Sequence, residues 1–422
     1  MSDNQAQRVD KAQGNDNQAA AASGAAKERS GVFAKSRAEA GGWGLLLVGL
    51  GAPSRTVSLS DGAVIGSGSR DAKLEGEGVA GEHARVMVRS DGCYLEDLGS
   101  PGGTWVGGVR ARRIDVSHGD VVRLGKQVAL FVERDLASYA GPTDRVGDLV
   151  VGARQRSAWV EPVLTAARSG ASVCIEGPPG VGKRTLAQHA AGLREGSPAL
   201  VTVDGRAAQH DVPPTSPKPA TWLVYEIDRL PRAVQTEIAH AIGRGGDVNV
   251  IATCSQPIDR AAADGKVTPW FASYFSGKRV AVPSLEARRE DLAGIVAEVA
   301  KRKNIDLSRV GPEALEALLR SGWPEGVPQL EAALAAAAAE AQDGPLGSAH
   351  LAAHLSRASV AQPSLPPATD PSLARARIED ALARANGSVA SAARSLGMSR
   401  QAIYREADRL GLDIARRRQA MR

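Results

Sequence analysis

A nine-residue stretch, Gly177–Thr185 (GPPGVGKRT), limits the fold more than any other part of this chain. It follows an apolar run, Ala171–Ile175 (ASVCI), and leads into a helix-forming segment, Thr185–Leu193. Strand, glycine-rich loop and helix in that order is the setting in which such a loop cradles phosphate. The glycines let backbone N–H groups curve round an anion, the helix N-terminus adds its dipole, and Lys183 adds a full charge. The nucleotide-binding set is therefore Gly177, Gly180, Gly182, Lys183, Arg184 and Thr185. In the general motif a hydroxyl that binds Mg²⁺ directly follows the lysine. Here that place holds Arg184, and Thr185 comes one residue late.

The loop is one part of a longer plan. A chain of 422 residues is too long for one core and divides into several domains. Its three cysteines, Cys93, Cys174 and Cys254, are scattered, lack metal spacing and fit a reducing compartment. No N-terminal stretch reads as a signal peptide, and the longest apolar run, around 44–52, is too short to span a bilayer. The expectation is a cytoplasmic protein with no membrane contact. Residues 1–42 hold hardly a large apolar side chain and read as a disordered arm.

Between residues 43 and 135 short alternating runs, such as RVMV (85–88) and VALFV (128–132), are separated by Gly, Ser and Asp. That pattern predicts an antiparallel β-sandwich. The blocks AVIGS (63–67), VAGEHA (79–84), LEDLGSPGGTWVGG (95–108) and HGDVVRLG (118–125) resemble a forkhead-associated (FHA) domain over its whole length. The resemblance implies phosphothreonine recognition by loops at one end of the sandwich. At the positions that carry it, this chain has Ser67 for an arginine, Ala80 and Gly81 for serine and arginine, and Gly102 for an asparagine. Gly66, His83, Ser100, Gly103 and Thr104 remain as scaffold, with Arg70 as a substitute donor; the FHA loop set is Ser67, Arg70, His83, Ser100 and Thr104. A phosphate dianion needs charge-assisted donors. The expectation is thus a protein-contact module, with a phosphothreonine-dependent adaptor as an alternative.

Residues 140–149 (AGPTDRVGDL) read as a connector. Strands and helices then alternate across 145–283, which predicts a parallel sheet with its ligand at the strand C-termini. Residues 284–356 carry apolar positions at helical spacing and read as a helical lid. His350 and His354 share a helix face there but lack a third ligand, so no metal site is expected. From Val146 to Leu355 the order of GPPGVGK, ALVTVDGRAA, WLVYEIDRLP, VNVIATCSQPI, VPSLEARREDL and WPEGVPQLEAAL resembles the AAA+ domain of sigma-54-dependent transcription activators. Carried over position by position, the resemblance implies a depleted catalytic set. Tyr225 stands for the Walker B aspartate that holds Mg²⁺, leaving Glu226 as the residual catalytic group. Ser255 stands for the sensor asparagine and Pro328 for the lid arginine. The arginine-finger segment aligns with Lys266–Tyr274, which has no arginine. Nothing between Ala208 and Thr221 resembles the family's sigma-contacting loop. Phosphoryl transfer runs on metal and arginine charge. ATP is accordingly expected as a weakly bound or structural group, without Mg²⁺ and without turnover. An active ATP-hydrolysing activator using substitute residues is the alternative.

Residues 357–371 are a Pro/Ser/Ala linker. Residues 372–422 then carry eleven arginines against five carboxylates, a formal charge of +6 where the whole chain has +5. Their pattern is three helices, with Gly397 in the last turn and Ser399 as the N-cap of a basic helix. The segment resembles a Fis-type helix-turn-helix, with Ala392, Ala393, Leu396, Ile403 and Leu410 as core. Arg400, Gln401, Tyr404 and Arg405 form the expected DNA-reading face. The whole reads as a multidomain DNA-binding transcriptional regulator: an all-β FHA-like sandwich, an α/β phosphate-loop core with an α-helical lid, and an all-α helix-turn-helix. Its expected partners are double-stranded DNA, a protein at the FHA-like domain, and further copies of itself as a dimer or higher oligomer.

Overall fold

The computed structural model describes residues 42–359, apart from positions 90–91, 111, 197, 208, 215–216, 218 and 245–246, together with 375, 378, 379, 403, 407, 410 and 412. The first part is a sandwich of eleven strands: β1 Trp43–Leu47, β2 Arg55–Leu59, β3 Val64–Gly66, β4 Ala72–Lys73, β5 Ala84–Arg89, β6 Gly92–Asp97, β7 Thr104–Val106, β8 Val109–Arg110, β9 Arg113–Val116, β10 Val121–Leu124 and β11 Gln127–Glu133. They form two sheets, in the orders β2-β1-β11-β10-β7-β8 and β4-β3-β5-β6-β9. Alternate residues of the central strands, among them Leu45, Leu47, Val122, Leu124, Ala129 and Phe131, fill the space between the sheets with Ile65, Val86 and Leu95 from opposite.

The stretch expected to be a connector is a β-hairpin. β12 (Asp144–Val146) pairs antiparallel with β13 (Leu149–Val151). Val146, Leu149 and Val151 are buried against Trp159 and Leu186, so this segment belongs to the core of the nucleotide domain. An amide-poor loop rich in Pro, Gly and Asp is also what a tight hairpin needs, and burial of its three apolar residues decides between the two.

The central sheet runs β15-β16-β17-β14-β18, with every pairing parallel (β14 Val173–Glu176, β15 Ala199–Asp204, β16 Ala220–Tyr225, β17 Val248–Cys254, β18 Arg279–Ala281). Strands β14 and β16 are buried along their whole length, which explains their continuous apolar runs in place of alternation. Helices α1 (Glu161–Arg168), α2 (Lys183–Ala191), α3 (Arg232–Gly243), α4 (Ile258–Ala263) and α5 (Pro269–Tyr274) accompany the sheet. Strand β14 lies between two later strands, so the order reverses there. The glycine loop and α2 leave the sheet at this switch point, where a ligand crevice opens. The lid follows as α6 (Leu292–Lys303), α7 (Pro312–Arg320), α8 (Val327–Ala341) and α9 (Ser348–Ser359).

The sandwich and the lid share one hydrophobic core. The residues of β1, β10 and β11 that do not face the sandwich interior, Leu46, Val121, Val128, Leu130 and Val132, pack with Val48 against Leu292, Val296, Leu315, Leu318 and Leu319 of the lid. Antiparallel sandwich strands commonly keep one face in water; these are covered on both. Burial of six such side chains contributes on the order of 10 kcal/mol. A buried ion pair crosses this interface, and Glu313 at its exposed edge lies 3.5 Å from the same arginine. Arg123 Nε of β10 donates to Glu316 Oε2 of α7 at 2.8 Å, and the two residues are 6% and 4% exposed. Arg123 also donates to the Gly125 carbonyl at 3.0 Å and lies over the Trp105 ring at 4.5 Å.

Removing one partner of a buried pair strands the other charge. Glu316→Ala is expected to cost about 3 to 5 kcal/mol in denaturant unfolding, and the double change Arg123→Met with Glu316→Leu to recover much of that loss.

Candidate functional site

The glycine loop closes the bottom of a cavity of about 870 Å³. Pro179, Gly180, Gly182, Lys183, Arg184 and Thr185 line one wall, Tyr225, Glu226 and Thr253 the strand ends, and Leu149, Val150, Ile295, Val299 and Pro328 an apolar side shared by the hairpin and the lid. The structure thus brings the whole loop set predicted from sequence to one cavity, except Gly177 at the loop's entry. Three glycines here have positive φ: Gly177 148°, Gly180 67° and Gly182 99°. Each is also short of room. A Cβ at Gly177 would lie 2.4 Å from the Val282 carbonyl oxygen, at Gly180 1.9 Å from that of Glu325, and at Gly182 2.5 Å from Leu149 Cδ1.

Lys183 is 8% exposed, and its ammonium donates to the carbonyls of Gly177 at 2.7 Å and Pro178 at 2.6 Å. Burial holds its pKa below the usual lysine value, while the Glu226 and Asp228 carboxylates pull the other way. The loop, the lysine charge and the apolar wall together fit a nucleotide: donors for phosphate at one end and a greasy slot for a base at the other.

The metal positions do not fit. Arg184, where the general motif has a hydroxyl, and Tyr225, where the resemblance sets the Walker B aspartate, touch each other: the guanidinium carbon lies 4.1 Å above the phenol ring. Arg184 Nη1 also donates to Asp204 Oδ2 at 2.5 Å. Burial pushes the Tyr225 phenol up, away from any ligating phenolate. Mg²⁺ takes hard oxygen ligands, and a cation packed on an aromatic face offers none. Among the described residues no group of three or more His, Cys, Asp or Glu side chains stands together as a metal site.

Glu226, the surviving acid, is already engaged. Its carboxylate pairs with Arg206 through Oε1, and Oε2 lies 2.9 Å from Arg229 Nε. Its backbone is left-handed, at φ 49° and ψ 57°, and its N–H donates to Thr253 Oγ1 at 2.9 Å. At the sensor position Ser255 is turned to Asp228: its N–H donates to Oδ1 at 3.1 Å and its hydroxyl to Oδ2. Pro328 lines the cavity from the start of α8 but carries no donor. Within the segment 266–274, Pro269–Tyr274 form α5, where Trp270 stacks on Tyr274.

Several working residues were not evident in the sequence. Arg288, fully buried, donates through Nη2 to the Val181 carbonyl of the loop at 2.8 Å and lies 3.5 Å from Asp291. Burial lowers the arginine's pKa and pushes the Asp291 carboxyl up to about 7, against the pull of Arg288; Asp291 in turn accepts from the Gly152 N–H at 2.9 Å. The Val327 N–H of the lid donates to the Gly180 carbonyl at 2.9 Å. Lid and loop are therefore clasped at two points. The only local signal was a doublet of arginines between apolar residues in LEARREDL, and a sequence cannot say which of the two is buried.

At the end of the sandwich, the FHA loop set holds itself together. Ser100 and Thr104 hydroxyls both donate to Asp97 Oδ2, at 2.6 and 2.7 Å. Burial opposes ionisation of Asp97, but these bonds and the N–H groups of Ser100 and Gly99 hold its carboxyl below the usual range. His83 is buried, with Nδ1 accepting from the Ala80 N–H at 3.1 Å and Nε2 at 3.2 Å from the Gly103 carbonyl. Ser67 Oγ donates to the Val79 carbonyl at 3.4 Å. Arg70 is exposed. A phosphate arriving here would meet a carboxylate whose hydroxyl neighbours are already bound. The assigned DNA-reading residues Arg400, Gln401, Tyr404 and Arg405 lie outside the described residues. Of the described positions in that segment, Ile378, Ile403, Ala407 and Leu412 are buried.

Residues 63–125 match the model of the FHA domain, 154–285 that of the sigma-54 interaction domain, and 374–405 that of bacterial regulatory proteins of the Fis family. Residues 154–285 thus carry a sigma-54 interaction domain and 374–405 a Fis-family segment, and the curated relatives that match are transcriptional regulators. It is 30% identical to the propane 2-monooxygenase operon transcriptional activator MimR of Mycolicibacterium smegmatis over 191 residues, 45% of this chain and 31% of that protein. It is 30% identical to the nitric oxide reductase transcription regulator NorR1 of Cupriavidus necator over 234 residues, 45% of each. These matches span less than half the length of either relative. Among solved structures, NtrX of Brucella abortus in complex with ADP is similar at 20% identity and a TM-score of 0.40, covering 60% of this chain and 67% of that one. No helix among the described residues is long and apolar enough to cross a membrane.

Two outcomes are expected. Gly180→Ala adds about 1 to 2 kcal/mol of backbone strain besides its clash with Glu325, so it should lower the melting temperature and speed proteolysis between lid and core. In calorimetric titration, a phosphothreonine peptide should bind the chain no more tightly than its unphosphorylated form.

Proposed function

We propose that this chain is a DNA-binding transcriptional regulator whose AAA+ core holds a nucleotide without hydrolysing it. The observation that carries the reading is the state of the catalytic positions: the two metal-ligand places hold the stacked pair Arg184 and Tyr225, and Glu226 is paired with Arg206 and Arg229. General-base work needs a carboxylate free to orient water, and phosphoryl transfer needs metal charge on the phosphates. Here the metal-ligand places are filled by other side chains, and Glu226 is paired through Oε1 with Arg206, its Oε2 buried beside Arg229 without a hydrogen bond among the described residues. The residues that remain bind: the loop N–H groups and Lys183 toward phosphate, and Leu149, Ile295 and Val299 toward a base.

On this reading the nucleotide orders loop and lid, and the lid carries the sandwich with it. The sandwich supports contact with a protein partner, independent of phosphorylation. The C-terminal Fis-type segment binds double-stranded DNA as a dimer, because such modules read paired half-sites. Arg400 and Gln401 read base edges, while Tyr404 and Arg405 hold phosphate or base. With no counterpart of the sigma-contacting loop between 208 and 221, regulation proceeds by DNA occupancy and partner recruitment.

The test has two arms. ATP turnover by the purified chain with Mg²⁺ should not exceed background, and turnover abolished by Lys183→Ala would refute the non-hydrolysing core. In gel-shift assays at fixed salt, Arg400→Ala and Gln401→Ala should each weaken a selected operator by about tenfold or more. Unchanged binding by both variants would remove the assigned reading face.

A further inference from the structure

The two residues that displace the metal ligands do more than remove a site. A guanidinium standing one residue beyond the loop lysine, at the first turn of α2, lies where a nucleotide's phosphates meet the helix N-terminus. Arg184 is held there from two sides, by the Tyr225 face at 4.1 Å and by Asp204 at 2.5 Å. A fixed guanidinium presents paired donors that match phosphate oxygens, and prior ordering of the side chain reduces the entropy lost on binding. Tyr225 is 4% exposed and packs in the core beside Leu223 and Ile251, so the platform is rigid even though Arg184 itself is more than half exposed. The other charges at this end are accounted for. Arg206 is tied to Glu226, and Asp204 accepts from Arg184 and from the Arg206 N–H at 3.0 Å. Lys183 donates to the Gly177 and Pro178 carbonyls, with the Glu226 and Asp228 carboxylates nearby.

We propose that the core binds ADP or ATP without a divalent metal, the Arg184 guanidinium, braced on Tyr225, taking the metal's place against the phosphates. The inference rests on the nucleotide-binding reading above and adds to it the form of the ligand, which is the free nucleotide polyanion and not its Mg²⁺ complex. The carboxylates a metal would need, Asp204 and Glu226, are already paired with Arg184 and Arg206, so no free oxygen pair holds a divalent ion while the guanidinium N–H groups of Arg184 not used on Asp204 remain for phosphate. Added Mg²⁺ then weakens binding by masking the ligand's charge. No bond is made or broken.

The experiment is isothermal titration of the full chain with ADP and with ATP, once in EDTA and once in excess Mg²⁺, with melting temperature as a second readout. Affinity in EDTA should equal or exceed that in Mg²⁺. Arg184→Ala, at an exposed position that leaves the core untouched, should weaken binding in EDTA by about tenfold or more. Tyr225→Phe, which keeps the ring beneath the guanidinium, should retain it. The double change Arg184→Ser with Tyr225→Asp restores oxygen ligands and should shift the preference toward Mg²⁺. Binding by the wild type in Mg²⁺ alone, or an Arg184→Ala variant that binds in EDTA as tightly as wild type, would overturn the metal-free mode and leave the nucleotide reading standing. No heat and no melting shift in either buffer would overturn both.

Discussion

Burial of one sheet on both of its faces governs how this molecule is put together. Strands β1, β10 and β11 give alternate residues to the sandwich interior and the rest to the lid. An inter-domain contact is ordinarily polar and mobile. This one is an apolar core with the ion pair of Arg123 and Glu316 set inside it and Glu313 at its edge. Such a pair adds little net energy, but it penalises any other register of α7 on the sheet, because a shifted helix would leave two buried charges apart. The lid is in turn clasped to the glycine loop, through Val327 on Gly180 and Arg288 on Val181. Sandwich, lid and phosphate loop are therefore joined in series by direct contacts.

The chemistry of the loop follows from charge. In a hydrolysing site, acidic groups hold a metal and the metal holds the phosphates. Here two acids near the loop are paired with the protein's own arginines, Asp204 with Arg184 and Glu226 with Arg206 and Arg229, while Asp228 accepts from Ser255. On the proposed reading such pairing takes these acids away from metal and water. It leaves a binding pocket, because backbone N–H groups and Lys183 do not depend on the lost acids.

Much of the plan was legible in the chain. The loop GPPGVGK, the short alternating strands and the basic terminal segment each carry a local pattern with a physical cause, and their order places the domains. The expectation of a depleted catalytic set rests on Tyr225, Ser255 and Pro328, read at positions defined by their neighbours. Other features left no such mark. VALFV reads as a strand, but whether Val128, Leu130 and Val132 face water or a second core depends on a helix nearly two hundred residues away. Residues 140–149 have the composition of a connector and of a hairpin alike, and only the burial of Val146 and Leu149 separates them. Arg288 looks like any surface arginine until it is seen to be fully buried.

The sequence by itself determined what each segment can be, because strand alternation, helix periodicity and glycine placement act over a few residues. It also determined what the core lacks, since a missing carboxylate or arginine is missing in any fold. Only the tertiary structure decided what the replacements do. That Arg184 lies on Tyr225, that two arginines hold Glu226, and that the sandwich is fused to the lid are facts of distance between segments remote in the chain. Charge pairing and apolar burial act through space, and the partners they choose become visible only once the chain is folded.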